Sequence, residues 1–232
     1  MWKRAGDWFS AILVTAVLAT SIFGAADWIE LRRNQQAVPV TADGYTIVVD
    51  AGHGGFDGGA VGSATGVAEA GLNLKVAQMV ADHLSAKGIS VRMTRQTEEA
   101  LGKDKKADMA ARRAIFCQQG VDLVVSIHMN KFTDPDVSGA MAYYMAGSAE
   151  GQKLAQTVID TVCDAIGRNR RLANPGDYFV IRECACPAVL VECGFLSNAD
   201  DEQKLQTDEY QSTMAQAIAD GILSYVETMG KG

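Results

Sequence analysis

Three short runs of Val, Ile and Leu punctuate this chain, and each leads into residues able to bind or serve a metal. Tyr45 to Asp50 runs into Gly52-His53-Gly54-Gly55, Asp122 to Ile127 into His128-Met129-Asn130, and Ala188 to Val191 into Glu192. Continuous apolar runs of this length, separated by helical stretches, read as buried strands of a mostly parallel sheet. Between them, Leu72, Val76, Met79, Val80 and Leu84 recur at helical spacing over Ala70 to Leu84, with Gly88 as a stop. Ile89 to Met93 alternates as a strand, and Lys103 to Gln119 reads as a helix closed by Gly120. Ala140 to Met145 and Tyr178 to Ile181 read as strands at the sheet edges, open to antiparallel pairing, and Glu150 to Ile166 and Thr207 to Met229 as long helices. The pattern predicts an α/β fold: one three-layer domain with a twisted, mostly parallel sheet and helices on both faces.

The amino terminus follows a different pattern. Lys3 and Arg4 precede an uncharged stretch from Trp8 to Ala26, after which Asp27, Glu30, Arg32 and Arg33 restore polarity. Nineteen uncharged residues at about 1.5 Å each approach the roughly 30 Å of a bilayer core. No polar face interrupts Ala11 to Ala19. The expectation is therefore a hydrophobic helix within residues 1–33 that acts as signal peptide or membrane anchor, a polar linker over 34–44, and a catalytic body over 45–232. The body is then exported, and the membrane is a partner through this segment.

Composition narrows the function. The 232 residues suit one domain plus an appendage, and 28 acidic against 21 basic residues give a net charge of −7. Without a basic cluster along any helix, nucleic acid is excluded as a partner. Five cysteines, Cys117, Cys163, Cys184, Cys186 and Cys193, leave at least one unpaired. Cys184-Ala185-Cys186 lacks the second pair of a zinc ligand set, so mostly buried free thiols are expected.

Strand ends in parallel sheets gather ligands and catalytic groups, so His53 and His128 can meet there although distant in sequence. Catalytic zinc commonly takes two His and one carboxylate and leaves a fourth position for water. Glu69, at the start of the helix leaving the Gly-rich loop, supplies the carboxylate; Asp57, in the Gly54 to Gly59 turn, competes for that place. Gly52 to Gly55 as a phosphate cradle is the weaker reading, for the loop lacks the following Lys-Ser/Thr and the dinucleotide glycine spacing. His83, on a helix beside Asp82, needs no function. Glu192, a carboxylate ending an apolar strand, is a candidate general base, unless it forms a structural ion pair with Arg95 or Arg182.

Taken together, Val49-Asp-Ala-Gly-His53-Gly-Gly, Glu69 before a helix, Ser126-Ile-His128-Met-Asn130 and Leu190-Val-Glu192-Cys-Gly-Phe-Leu-Ser-Asn198 resemble the zinc-dependent N-acetylmuramoyl-L-alanine amidases, over about Thr46 to Val226. The resemblance implies one Zn²⁺ held by His53, Glu69 and His128, with Glu192 catalytic. It also implies cleavage of the amide joining the muramic acid lactyl group to L-alanine of the peptidoglycan stem. The compact size and single anchor-like segment look most like the germination-type amidases of spore formers, which implies action on spore cortex. Ala51 stands where a proline is usual, and Ala70 where a charged residue often follows the ligand glutamate. Only nine residues separate Asn130 from Ala140. That is too short for the blocking helix some members insert, so control has to come from elsewhere, an activating protein partner included. The readings that compete are a tethered muropeptide-binding module without turnover and a zinc peptidase acting on the cross-link peptide.

Overall fold

The structure, a computed structural model, describes residues 44–230. The hydrophobic segment expected within residues 1–33 lies outside these residues, as does the linker up to residue 43. These residues form six strands and six helices, in chain order β1 (Thr46–Ala51), α1 (Glu69–Ser85), β2 (Ser90–Met93), α2 (Lys105–Phe116), β3 (Leu123–Asn130), β4 (Met141–Met145), α3 (Ala149–Ala165), β5 (Asn174–Gly176), α4 (Phe179–Glu183), β6 (Ala188–Phe195), α5 (Ala199–Leu205) and α6 (Asp208–Met229). The sheet order is β2-β1-β3-β6-β4-β5. β2, β1, β3 and β6 run parallel, and β4 is antiparallel to β6.

Because side chains alternate along a strand, an all-apolar strand must be covered on both sides. Ile47, Val49 and Ala51 of β1 join a large core with Leu72, Val76 and Val80 of α1, Val158 and Val162 of α3, and Ile218 and Ile222 of α6. Val48, between them, faces a smaller core with Val124, Leu190, Phe116 of α2 and Val180 and Ile181 of α4. Three layers result, as the sequence pattern predicts.

Several expectations need correction. Tyr178 to Ile181 is no strand: Tyr178 is the N-cap of α4, and Arg182 N–H bonds the Tyr178 carbonyl at 3.0 Å. A four-residue apolar run carries no usable period, and burying Val180 and Ile181 against α2 satisfies it equally well as a single helical turn. The edge strand is instead Asn174–Gly176, paired to β4, so β4 lies one place inside the edge. α2 begins two residues later than expected, where Asp104 caps it by accepting from Ala107 N–H. α5, unexpected, starts on Asn198, whose side chain accepts from Asp201 N–H. None of the five cysteines is bridged; Cys163 and Cys193 are buried, Cys184 and Cys186 half-buried and Cys117 exposed.

A candidate metal centre at the carboxyl edge of the sheet

His128 and Glu192, expected at the ends of their strands, lie within them, each strand running on past the residue, and the two pair directly in register across β3 and β6. The ladder shifts just beyond, between His128 and Asn130, and such an irregularity re-aims side chains at a sheet rim. His53 follows β1, and Glu69 is the first residue of α1. Ligand atoms of His53, Glu69 and His128 all lie within 4.8 Å of one another, a group able to hold a metal ion. Glu69 Oε1 is 2.9 Å from His128 Nδ1 and 3.3 Å from His53 Nε2. The two imidazoles stand edge to face, centroids 5.0 Å apart.

Each donor is held from behind. Glu69 Oε2 accepts Ala60 N–H at 2.7 Å, while Oε1 also accepts from Asn73 Nδ2 at 3.0 Å and Met129 N–H at 3.2 Å. Asn73 lies one helical turn after Glu69, so the i,i+4 spacing alone places both on one face of α1; that signal was legible and went unread. Burial would raise the Glu69 carboxyl, but hydrogen bonds and charge from His128 and His53 outweigh it and hold it well below the usual range. Burial pulls the His53 imidazole down, and Glu69 and Asp57 together push it above its ordinary value.

The loop that presents His53 is strained. His53 has φ +61°, the single non-glycine positive φ among the described residues, a conformation that surrounding structure must enforce. Two buried arginines supply that enforcement. Arg95 donates to the carbonyls of Ala51 (2.9 Å), Gly52 (2.9 Å) and Ala70 (2.7 Å). Arg112 donates to the carbonyls of Ala51 (2.8 Å) and His53, and to the carboxylates of Asp50 (2.6 Å) and Asp108 (2.8 Å). Asp50 also accepts from Thr94 and Ser126 hydroxyls. Gly52 is required for a different reason: a Cβ there would come within 2.3 Å of the His128 ring. The sequence reading missed Arg95 and Arg112 as clamps of the loop because they act on backbone carbonyls, which no side-chain motif reveals, and Asp50 because the arginine and hydroxyls that hold it come from distant elements.

Asp57 stands behind His53, its Oδ2 3.0 Å from His53 Nδ1 on the ring side away from Glu69, and it contacts Lys105 of α2. Burial would raise its carboxyl, but hydrogen bonds and charge from Lys105 and His53 together outweigh it and bring it down to about 2. Of the two carboxylates weighed for the donor set, Glu69 is the one that faces both imidazoles.

Glu192 differs from all of these. Arg95 is taken up by carbonyls and Arg182 by Asp177 and Glu183, so neither pairs with it. Glu192 is 7% exposed, and its Oε2 is buried with no hydrogen-bond partner among the described residues. Burial pushes its pKa up to about 7, a rise that the neighbouring histidines only partly offset. It opens on a cleft of about 430 Å³ that also holds the triad and is walled by Met109, Phe116, Val180 and Leu190.

A mostly parallel α/β sheet whose carboxyl edge carries two imidazoles, a pinned carboxylate and an unpaired buried carboxylate has the makings of a metal-assisted hydrolase. Comparison with known proteins makes the class specific. Residues 47–224 match the family model described as N-acetylmuramoyl-L-alanine amidase, and the chain belongs to that family. It is 33% identical to the germination-specific N-acetylmuramoyl-L-alanine amidase of Bacillus subtilis (strain 168), covering 81% of this chain and 82% of the relative. Among solved structures, the CwlD amidase from Clostridioides difficile in complex with the GerS lipoprotein matches with a TM-score of 0.76 at 28% identity, over 79% of this chain and 99% of that one. An N-acetylmuramoyl-L-alanine amidase from Clostridium difficile 630 matches with a TM-score of 0.74 at 33% identity, over 82% and 100%.

Proposed function

We propose that the chain hydrolyses the amide between the muramic acid lactyl group and L-alanine of the peptidoglycan stem, using one Zn²⁺ held by His53, Glu69 and His128 and a general base at Glu192. The observation that carries this reading is Glu192 Oε2, an unpartnered buried carboxylate oxygen on the residue paired in register with His128. A buried ionisable group without a partner is costly unless it has chemical work. The donor set of two imidazoles and a carboxylate suits zinc with a position left open. When bound, zinc supplies Lewis acidity toward a water and the scissile carbonyl. Glu192 takes the proton from the attacking water and returns it to the leaving L-alanine amine, and a pKa of about 7 suits both transfers. Glu69, fixed by Ala60, Asn73 and Met129, keeps the two imidazoles in register. The apolar wall of Met109, Phe116, Val180 and Leu190 keeps bulk water from competing.

The similarity to a germination-specific amidase supports placing the substrate in spore cortex. The relative solved with a lipoprotein supports an activating protein partner for this chain as well. We assign residues 1–33 to export or anchoring, 34–44 to a linker and 45–232 to the catalytic body on the extracytoplasmic side. None of the described helices is long and apolar enough to cross a membrane. Membrane fractionation with amino-terminal sequencing is expected to find the native chain bound to the membrane or shortened within its first 33 residues. Full-length chain free in the cytosol defeats the assignment.

The deciding experiment digests purified peptidoglycan with the full chain. Mass spectrometry is expected to show free stem peptides with a new L-alanine amino terminus, one zinc per chain, and joint loss of zinc and turnover in His53→Ala. Cleavage within the cross-link, or binding without release, overturns the amidase reading. A His53→Ala chain retaining full zinc removes His53 from the metal site.

A further inference from the structure

The triad leaves one contact unexplained. His53 Nδ1 is buried, points away from Glu69, and lies 3.0 Å from Asp57 Oδ2, at ion-pair distance though off the line of an ideal hydrogen bond. Asp57 is not there by accident of a floppy turn. Its backbone closes a two-way bridge with Gly54, the Gly54 N–H donating to the Asp57 carbonyl at 2.8 Å and the Asp57 N–H to the Gly54 carbonyl at 3.1 Å. Its Oδ1 accepts Gly59 N–H at 3.3 Å, and its Oδ2 meets the ammonium of Lys105 in the first turn of α2. The carboxylate is thus fixed by its own turn on one side and by a separate helix on the other. The same helix, through Arg112, holds the His53 carbonyl.

An imidazole that binds a metal through one nitrogen needs its other nitrogen committed to an acceptor, which sets the tautomer, fixes the ring plane and raises the basicity of the ligating atom. His53 has a second reason to need this. Its positive φ is a conformation the residue does not hold by itself, so backbone alone does not aim the ring.

We propose that Asp57 is the positioning residue for His53, its carboxylate accepting from Nδ1–H so that the Nε2 lone pair faces the metal position beside Glu69. This rests on the metal reading above. Asp57 touches neither substrate nor metal; it acts through the ring.

Asp57→Asn tests it, because the amide keeps the volume and the Gly59 turn bond while losing the charge that polarises the imidazole. The full chain is stripped of metal and titrated with Zn²⁺ against a chromophoric chelator, and melting is followed on the same metal-free samples. Asp57→Asn is expected to bind zinc about 10- to 100-fold more weakly, with melting of the metal-free protein nearly unchanged. In the Co²⁺-substituted protein the visible bands are expected to move. Asp57→Glu, which restores a carboxylate at greater length, is expected to recover part of the affinity. Wild type that takes up zinc, with Asp57→Asn matching it within about twofold and an unchanged cobalt spectrum, overturns the role of Asp57 alone. Equal weakening in the Asn and Glu variants, together with lowered melting, reduces Asp57 to a turn former and also overturns it. Wild type that takes up no zinc overturns the metal reading and this inference with it.

Discussion

Glu192→Gln is expected to lose turnover by about 10²- to 10⁴-fold while keeping zinc and, at pH 8, making the metal-free protein more stable. The two halves have one cause. Burial without an ion-pair partner raises the Glu192 carboxyl from 4.5 to about 7. A group whose folded pKa lies above its unfolded one binds its proton more tightly in the fold. Its contribution is therefore present below about 4.5 and lost as pH rises through about 7. Above that range the ionised carboxylate costs the metal-free fold about 3 kcal/mol, an upper figure for a group with an edge on the cleft. Glutamine keeps the volume and carries no charge, so the variant avoids that cost at pH 8 and differs little from wild type at pH 4. Urea denaturation of metal-free protein at both pH values, beside stem-peptide release by the zinc form, reads both halves. A variant destabilised at pH 8, with turnover within a few-fold of wild type, would mean that Glu192 is structural after all.

Arg112→Met is expected to destabilise the protein by about 3–5 kcal/mol at pH 7, because removing one member of a buried charge network leaves the others unpaired. Arg112 is 2% exposed and is shared by Asp50 and Asp108, themselves 2% and 3% exposed. Burial alone would raise the Asp50 carboxyl. Arg112, with the Ser126 and Thr94 hydroxyls and His128, outweighs that and holds it below the usual range. In wild type this contribution is present above the ordinary carboxylate pKa and disappears only as pH falls through the depressed value. Without Arg112, burial acts with less opposition and Asp50 takes up a proton more readily. The deficit of the variant is thus expected to shrink between pH 7 and pH 4. The strained His53 loop loses one of its two clamps as well, so zinc affinity should fall in whatever fraction remains folded. A deficit below about 1 kcal/mol at pH 7, or one that is the same at both pH values, would show that the network does not hold the loop.

The contrast between these two carboxylates explains how the site is built. Asp50 and Glu192 lie on the apolar strands β1 and β6 that flank β3, and both are buried. One has an arginine, two hydroxyls and a structural task; the other lines the cleft and keeps a buried oxygen without a partner. From the chain alone the two looked alike, and only their partners separate support from chemistry.

The hydrophobic pattern by itself determined the layers. β1, β3 and β6 had to be buried on both faces because no polar residue interrupts Ile47 to Val49, Leu123 to Val125 or Val189 to Val191, and strands so buried require helices on each side. It also determined which residues arrive at one sheet edge, since a parallel arrangement brings all strand ends to the same rim. Tertiary structure decided the rest, for reasons of range. The single turn of α4 and the three-residue β5 are too short to show a period, so packing against α2 and β4 chose their form. Whether Glu192 pairs with Arg95 or stands alone depended on where Arg95 finds better acceptors. Those are the carbonyls of Ala51, Gly52 and Ala70, main-chain groups identical in every residue and therefore silent in a sequence. The same silence hid Arg112, which holds the carbonyls of Ala51 and His53. A motif names the side chains that perform chemistry, but the backbone oxygens that aim them become visible only when the chain has closed around them.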